Sequence, residues 1–195
     1  MNIPNILTLL RIFLIPVFVV CYYLPFASGP IIAAMVFIVA GVTDWLDGYL
    51  ARKLHQASKF GAFLDPVADK LMVAVALVLM VSNPHLNYIA IPSAVIIGRE
   101  IAISALREWM AELGKRANVA VGFVGKLKTA MQLAAIPILV GAIAIQAEWF
   151  RWAGYILLYV SAILTLWSMC VYLAAAWPDF DFMTVDDEEN NKDPS

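Results

Sequence analysis

Residues 30–52 read PIIAAMVFIVAGVTDWLDGYLAR, an apolar run long enough to cross a bilayer that closes on two aspartates and an arginine. Such an ending needs a reason, because a carboxylate costs about 2.5–3.5 kcal/mol at mid-membrane and less near the edge. A second apolar run begins shortly beyond and also opens on acids, in GAFLDPVAD at residues 61–69. Four carboxylates therefore stand at the mouths of two apolar segments.

The apolar pattern extends along nearly the whole chain. Of 195 residues, 63% are hydrophobic and only 14% are charged, and the mean hydropathy is +0.81. A soluble domain of this length cannot cover its surface with so few polar groups. Spans of roughly 20 residues are predicted at 6–26, 30–51, 66–84, 89–107, 127–147 and 153–176, separated by PFASGP, SNPHLN, QAEWFRW and two basic loops. The expected fold is an all-α integral membrane protein with six transmembrane helices at 1–177, followed by an acidic, disordered tail at 178–195 (DFDFMTVDDEENNKDPS from Asp179). The opening MNIPNILTLLRIFLIPVFVV has its only basic residue, Arg11, inside the run and leads straight into further spans. It reads as a retained first helix and not a signal peptide.

Other classes recede. A net charge of −2 gives no sign of a nucleic-acid partner. Cys21 and Cys170 lie in apolar segments without metal-like spacing and read as packing residues. The absence of an internal repeat argues against a transporter built from inverted halves. Basic residues set the orientation: Arg52, Lys53 and Lys59 in one loop, Arg107 to Arg116 in another, then Lys126 and Lys128. By the positive-inside rule both termini and these loops face the cytoplasm. Trp149, Trp152 and Tyr155 fit an aromatic belt on the other side, or equally core packing.

On a helix, Asp44, Asp47, Gly48, Ala51 and Arg52 fall within one arc, and Gly61, Asp65 and Asp69 recur four apart. Pro66 favours a first turn, so Asp65 is either an N-cap or part of a continuous face. Interfacial capping and pairing with Arg52, Lys53 and Lys59 accounts for one or two of these acids. Four gathered together repel and raise one another's pKa, and a divalent cation removes that difficulty. All-oxygen donors suit Mg²⁺ or Mn²⁺ and not zinc. Four acids invite two ions, a standard arrangement for displacement at phosphorus. His55 and His85 fall in different loops and give no histidine site. The small residues Gly48, Ala51 and Gly61 leave room for a bulky substrate, or for close helix packing. Arg52 can hold a phosphate oxygen.

At every defined position, Asp44-x₂-Asp47-Gly48-x₂-Ala51-Arg52-x₈-Gly61-x₃-Asp65-x₃-Asp69 resembles the signature of the CDP-alcohol phosphotransferases. The resemblance implies a six-helix membrane bundle, usually a homodimer, that transfers a phosphatidyl group from a CDP-linked lipid to an alcohol and releases CMP. Carried over, Asp44, Asp47, Asp65 and Asp69 match metal ligands, and Asp69 also matches the general base. Gly48, Ala51, Arg52 and Gly61, with Asp44 and Asp47, match the surface that receives the CDP-lipid.

The signature is shared by enzymes that use different alcohols, and the rest of the chain narrows the choice. NIPNILTLLRIFLIP (2–16) and GREIAISALREWMAELGKRANVAVGFVGKLKTAMQ (98–132) are similar to bacterial members that join CDP-diacylglycerol to glycerol 3-phosphate in the cytoplasmic membrane. The likeness extends to about Trp177. It implies that Arg99, Arg107 and Lys126 bind the acceptor phosphate, with Lys128 available nearby. The competing expectations are the same fold with another acceptor alcohol and, from another class, a divalent-cation transporter. Against the transporter stand Arg52 on the acidic face and acids confined to one membrane side.

Overall fold

The computed structural model describes residues 3–54, 59–112 and 123–176. Its elements are six helices: α1 (Ile3–Tyr22), α2 (Gly29–Leu54), α3 (Lys59–Val81), α4 (Ala90–Glu112), α5 (Phe123–Ile145) and α6 (Glu148–Ala176). The expected acidic tail lies outside the described residues.

The helix contacts close a ring. Its order is α1, α2, α5, α6, α4, α3 and back to α1, with α3 also touching α2 and α5. The most extensive packing joins α5 to α6 and α1 to α2, whereas α3 meets α4 and α5 sparsely. That sparse contact leaves space on one side of α3. Close approach of α5 and α6 depends on Gly154, where a Cβ would sit 2.6 Å from Leu139 Cγ. Tightness between α1 and α2 depends likewise on Gly29, where a Cβ would lie 2.9 Å from the Leu24 carbonyl oxygen.

Burial is inverted relative to a soluble protein. Apolar residues of every size, from Ala33 and Ala135 to Leu77, Ile96, Leu158 and Phe37, fill the interior. Large apolar residues, among them Phe13, Trp45, Ile91 and Trp149, line the outside. Such a surface suits lipid, where backbone groups must be satisfied within each helix. Four helices, α1, α2, α5 and α6, are long and apolar enough to cross a membrane. The other two are interrupted by charge: α3 carries Asp65, Asp69 and Lys70, and α4 carries Arg99, Glu100 and Arg107.

Two expectations are corrected. The first helix ends at Tyr22 and not at 26, because a turn closed by Leu24 N–H to the Cys21 carbonyl precedes α2. The third begins at Lys59 and not at 66, with Pro66 inside it. A proline removes one helical hydrogen bond but is tolerated where neighbouring helices brace the segment. Asp65 is therefore not an N-cap. Gly61, Asp65 and Asp69 instead share one continuous face of α3.

The two ends of the bundle differ. At one end, Tyr22 Oη donates to the Leu79 carbonyl, Asn83 Nδ2 donates to Tyr22 Oη, and Tyr159 Oη donates to the Tyr88 carbonyl. Among the described residues, the motif aspartates and most of the basic residues lie toward the other end, while Glu148 and Arg151 pair near the first.

Candidate active site

The acidic site is built by three helices, of which the sequence reading foresaw two. Asp44, Asp47 and Gly48 come from the end of α2, and Gly61, Asp65 and Asp69 from the start of α3. The third contributor is α1. Arg11 is 1% exposed; its Nη1 lies 2.5 Å from Asp44 Oδ1, and its Nη2 donates to Asp47 Oδ2. One turn earlier on the same face, Thr8 Oγ1 donates to Asp65 Oδ1 at 2.5 Å. A buried guanidinium needs its charge balanced, and the motif carboxylates balance it. The Arg11 Nε has no hydrogen-bond partner among the described residues.

The four aspartates thus fall together. Asp47 lies within electrostatic reach of Asp44 and Asp65, and Asp69 within reach of Asp44 and Arg11. Asp47 is buried and Asp44 half-buried. Gly61 is buried and Gly48 half-buried. Helix α2 runs through Ala51 and Arg52, whose side chains lie outside the described ones.

The donor chemistry fits a hard divalent cation, since several carboxylates surround one buried positive group. In this arrangement that positive group is Arg11. Among the described residues no three acids converge as a ready-made ligand set; Arg11 engages Asp44 and Asp47, and Thr8 engages Asp65.

A cavity of about 760 Å³ opens on the other side of α3, where α3, α4, α5 and α6 diverge. Its polar lining includes Asp69, Arg99, Glu100, Arg107, Lys128 and Tyr172. Leu71, Ile96, Ile101, Leu133 and Trp167 supply apolar wall. Asp69 also borders a small cleft with Arg11 and Asp44. It stands between the acid cluster and the large cavity.

The cavity cations are held in place. Arg99 is buried; its Nη1 pairs with Glu100 Oε1 at 2.9 Å and its Nη2 donates to Ser168 Oγ at 3.1 Å. Lys128 Nζ reaches the same Glu100 oxygen at 3.1 Å. Arg107 donates from Nη2 to Tyr172 Oη at 3.0 Å, its guanidinium carbon 5.2 Å from that ring's centroid. Lys70 Nζ donates to Ser104 Oγ, which in turn donates to the Glu100 carbonyl at 2.6 Å. Arg99 and Arg107 therefore line one cavity. The Lys126 side chain lies outside the described ones, and Lys128 is the α5 lysine seen in the wall.

Sequence reasoning missed Arg11 and Thr8 as members of the site. A signal was present: an intramembrane charge demands a partner, and Arg11 is a lone charge inside an apolar run with Thr8 three residues before it. The partner helix was not legible from the spacing.

Comparison with known proteins gives the family of the chain. A family model described as CDP-alcohol phosphatidyltransferase matches residues 1–167. A protein of Escherichia coli strain K12 named CDP-diacylglycerol–glycerol-3-phosphate 3-phosphatidyltransferase is 54% identical over 178 residues, covering 91% of this chain and 96% of its own. Proteins of the same name from Salmonella typhimurium and Yersinia enterocolitica are 54% and 52% identical, covering 91% and 92% of this chain and 96% and 97% of theirs.

Proposed function

We propose that this chain, which belongs to the CDP-alcohol phosphatidyltransferase family, transfers the phosphatidyl group of CDP-diacylglycerol to sn-glycerol 3-phosphate, giving phosphatidylglycerophosphate and CMP. The names of relatives about as similar as the E. coli protein, 54% identical, support the substrates. The observation that carries the reading is the position of Asp69, shared between the acid cluster and a cavity lined by Arg99, Arg107 and Lys128.

In this reading the acceptor phosphate lies among Arg99, Arg107 and Lys128, with Lys126 joining them. Guanidinium groups suit such a ligand, because they donate in pairs to phosphate oxygens. The acceptor hydroxyl then points toward Asp69. Its oxygen forms a bond to the phosphorus carrying the diacylglycerol, the bond from that phosphorus to the CMP oxygen breaks, and the proton passes to Asp69. The contribution of Asp69 as a base rests on its position. Gly48, Ala51, Arg52 and Gly61 make room for and hold the CDP group. Asp44, Asp47, Asp65 and Asp69 would hold Mg²⁺ or Mn²⁺, two ions by the number of acids, supplying neutralisation of the pyrophosphate and the leaving CMP.

The positive-inside rule places the site and both termini on the cytoplasmic side of a bacterial inner membrane, with residues 1–177 as the membrane domain and 178–195 as a tail. The family resemblance supports a homodimer. The test is purified full-length protein in detergent with labelled CDP-diacylglycerol, Mg²⁺ and a panel of alcohols. CMP release dependent on glycerol 3-phosphate supports the proposal. Release with another alcohol instead overturns the acceptor, and no release with any alcohol overturns the enzyme.

A further inference from the structure

We propose that Arg11 is an internal counter-cation: it holds Asp44 and Asp47 together when no divalent ion is bound, and it opposes that ion's binding. This rests on reading the motif acids as metal ligands.

Three of the four motif aspartates are engaged from α1, Asp44 and Asp47 by Arg11 and Asp65 by Thr8, whereas Asp69 borders the large cavity. The Arg11 guanidinium is buried where a cation shared by Asp44 and Asp47 would bring its charge. Two carboxylates this close, with Asp47 itself buried, repel unless positive charge lies between them. Arg11 meets that need with a single charge, spread over a plane and bonded to both. A divalent ion entering the same group meets a fixed positive charge within a few ångströms. Either the guanidinium swings aside or its repulsion weakens the ion's hold.

Arg11 is thus a positioning residue, and its removal has two opposite effects. The metal-free site loses its counter-charge, while the metal-bound site loses a competitor. A side chain that only packs the helices would lower stability by the same amount with and without metal, and would leave metal affinity unchanged.

The test compares full-length wild type, Arg11→Gln and Arg11→Lys in detergent. Mn²⁺ binding is read from the electron paramagnetic resonance of the free ion, and Tm is measured in EDTA and in saturating Mn²⁺. Arg11→Gln is expected to bind Mn²⁺ about tenfold more tightly. Its Tm in EDTA falls by several degrees, and Mn²⁺ recovers most of that loss. Arg11→Lys keeps the charge but cannot bridge both carboxylates, so it falls between. Mn²⁺ affinity unchanged or weaker in both variants overturns the proposal, as does a Tm deficit equal with and without Mn²⁺. Should Arg11→Gln fail to fold, Arg11→Lys decides: affinity at or below wild type overturns it. If none of the three proteins binds Mn²⁺, the metal reading itself falls and takes this proposal with it. CMP release, measured separately, still tests the transferase reading.

Discussion

Thr8 donates its hydroxyl proton to Asp65 across 2.5 Å, joining α1 to α3 between residues 57 positions apart. Thr8 is 1% exposed, so water cannot replace the bond if the hydroxyl is removed. Thr8→Val keeps the shape and leaves the Asp65 oxygen without this donor, at a cost of about 1–3 kcal/mol. We expect a lower Tm and reduced CMP release for Thr8→Val, with Thr8→Ser close to wild type. Equal behaviour of the two variants would show that the hydroxyl contributes nothing.

Asp69 is the one motif carboxylate that borders both cavities. Asp69→Asn keeps the volume and removes the proposed base. The expected loss in kcat is about 10²–10⁴-fold, the usual contribution of a general base. Binding of CDP-diacylglycerol, followed by equilibrium titration, is expected to survive in part. Complete loss of binding would make Asp69 chiefly a ligand.

Arg99 and Arg107 reach the cavity from one helix and are anchored by Ser168 and Tyr172 on another. Replacing either by Ala is expected to raise the KM for glycerol 3-phosphate by about 10–100-fold, as for loss of a charge-assisted bond. The KM for CDP-diacylglycerol should shift by about twofold or less, because in the proposed reading only the acceptor meets these groups. Steady-state kinetics with each substrate varied in turn separates the two. An unchanged KM for glycerol 3-phosphate would remove both arginines from the acceptor pocket.

Chelation offers a further check on the acid cluster. We expect EDTA to abolish CMP release and either Mg²⁺ or Mn²⁺ to restore it, since carboxylate oxygens prefer hard cations. Full activity after exhaustive chelation would rule out metal assistance.

Gly154 is a test of the bundle apart from its chemistry. A Cβ there meets Leu139 Cγ at 2.6 Å, so Gly154→Ala forces α5 and α6 apart or displaces a buried leucine. Overpacking of this kind costs about 1–3 kcal/mol. The double variant Gly154→Ala with Leu139→Ala is expected to lose less stability than the two single effects summed. Simple additivity in thermal unfolding would mean that the pair does not compete for space.

Much of the site was legible in the sequence because its signals are local. Apolar run length marked the helices, and residues three or four apart share a helix face, so the α2 and α3 acids could be placed together without coordinates. Arg99 and Arg107, eight residues apart on α4, fall on roughly one face of that helix, and both line the cavity. Helix boundaries were less legible: Pro66 read as a first turn, yet packing of α3 against α1 and α2 carries the helix through it.

By itself, the sequence determined six helical segments, the paired carboxylate motif and the resemblance to a family. The helices follow from composition and periodicity within single segments, and the resemblance from the identity and spacing of the motif residues. Tertiary structure alone decided the ring order α1–α2–α5–α6–α4–α3, the gap that becomes the cavity, and the pairing of Arg11 with Asp44 and Asp47. Each depends on how one helix is rotated and set against another. No spacing within α1 records that: a lone arginine in an apolar run looks the same whether it snorkels to the interface or is buried against two aspartates. Burial of its charge against those acids tells the two apart.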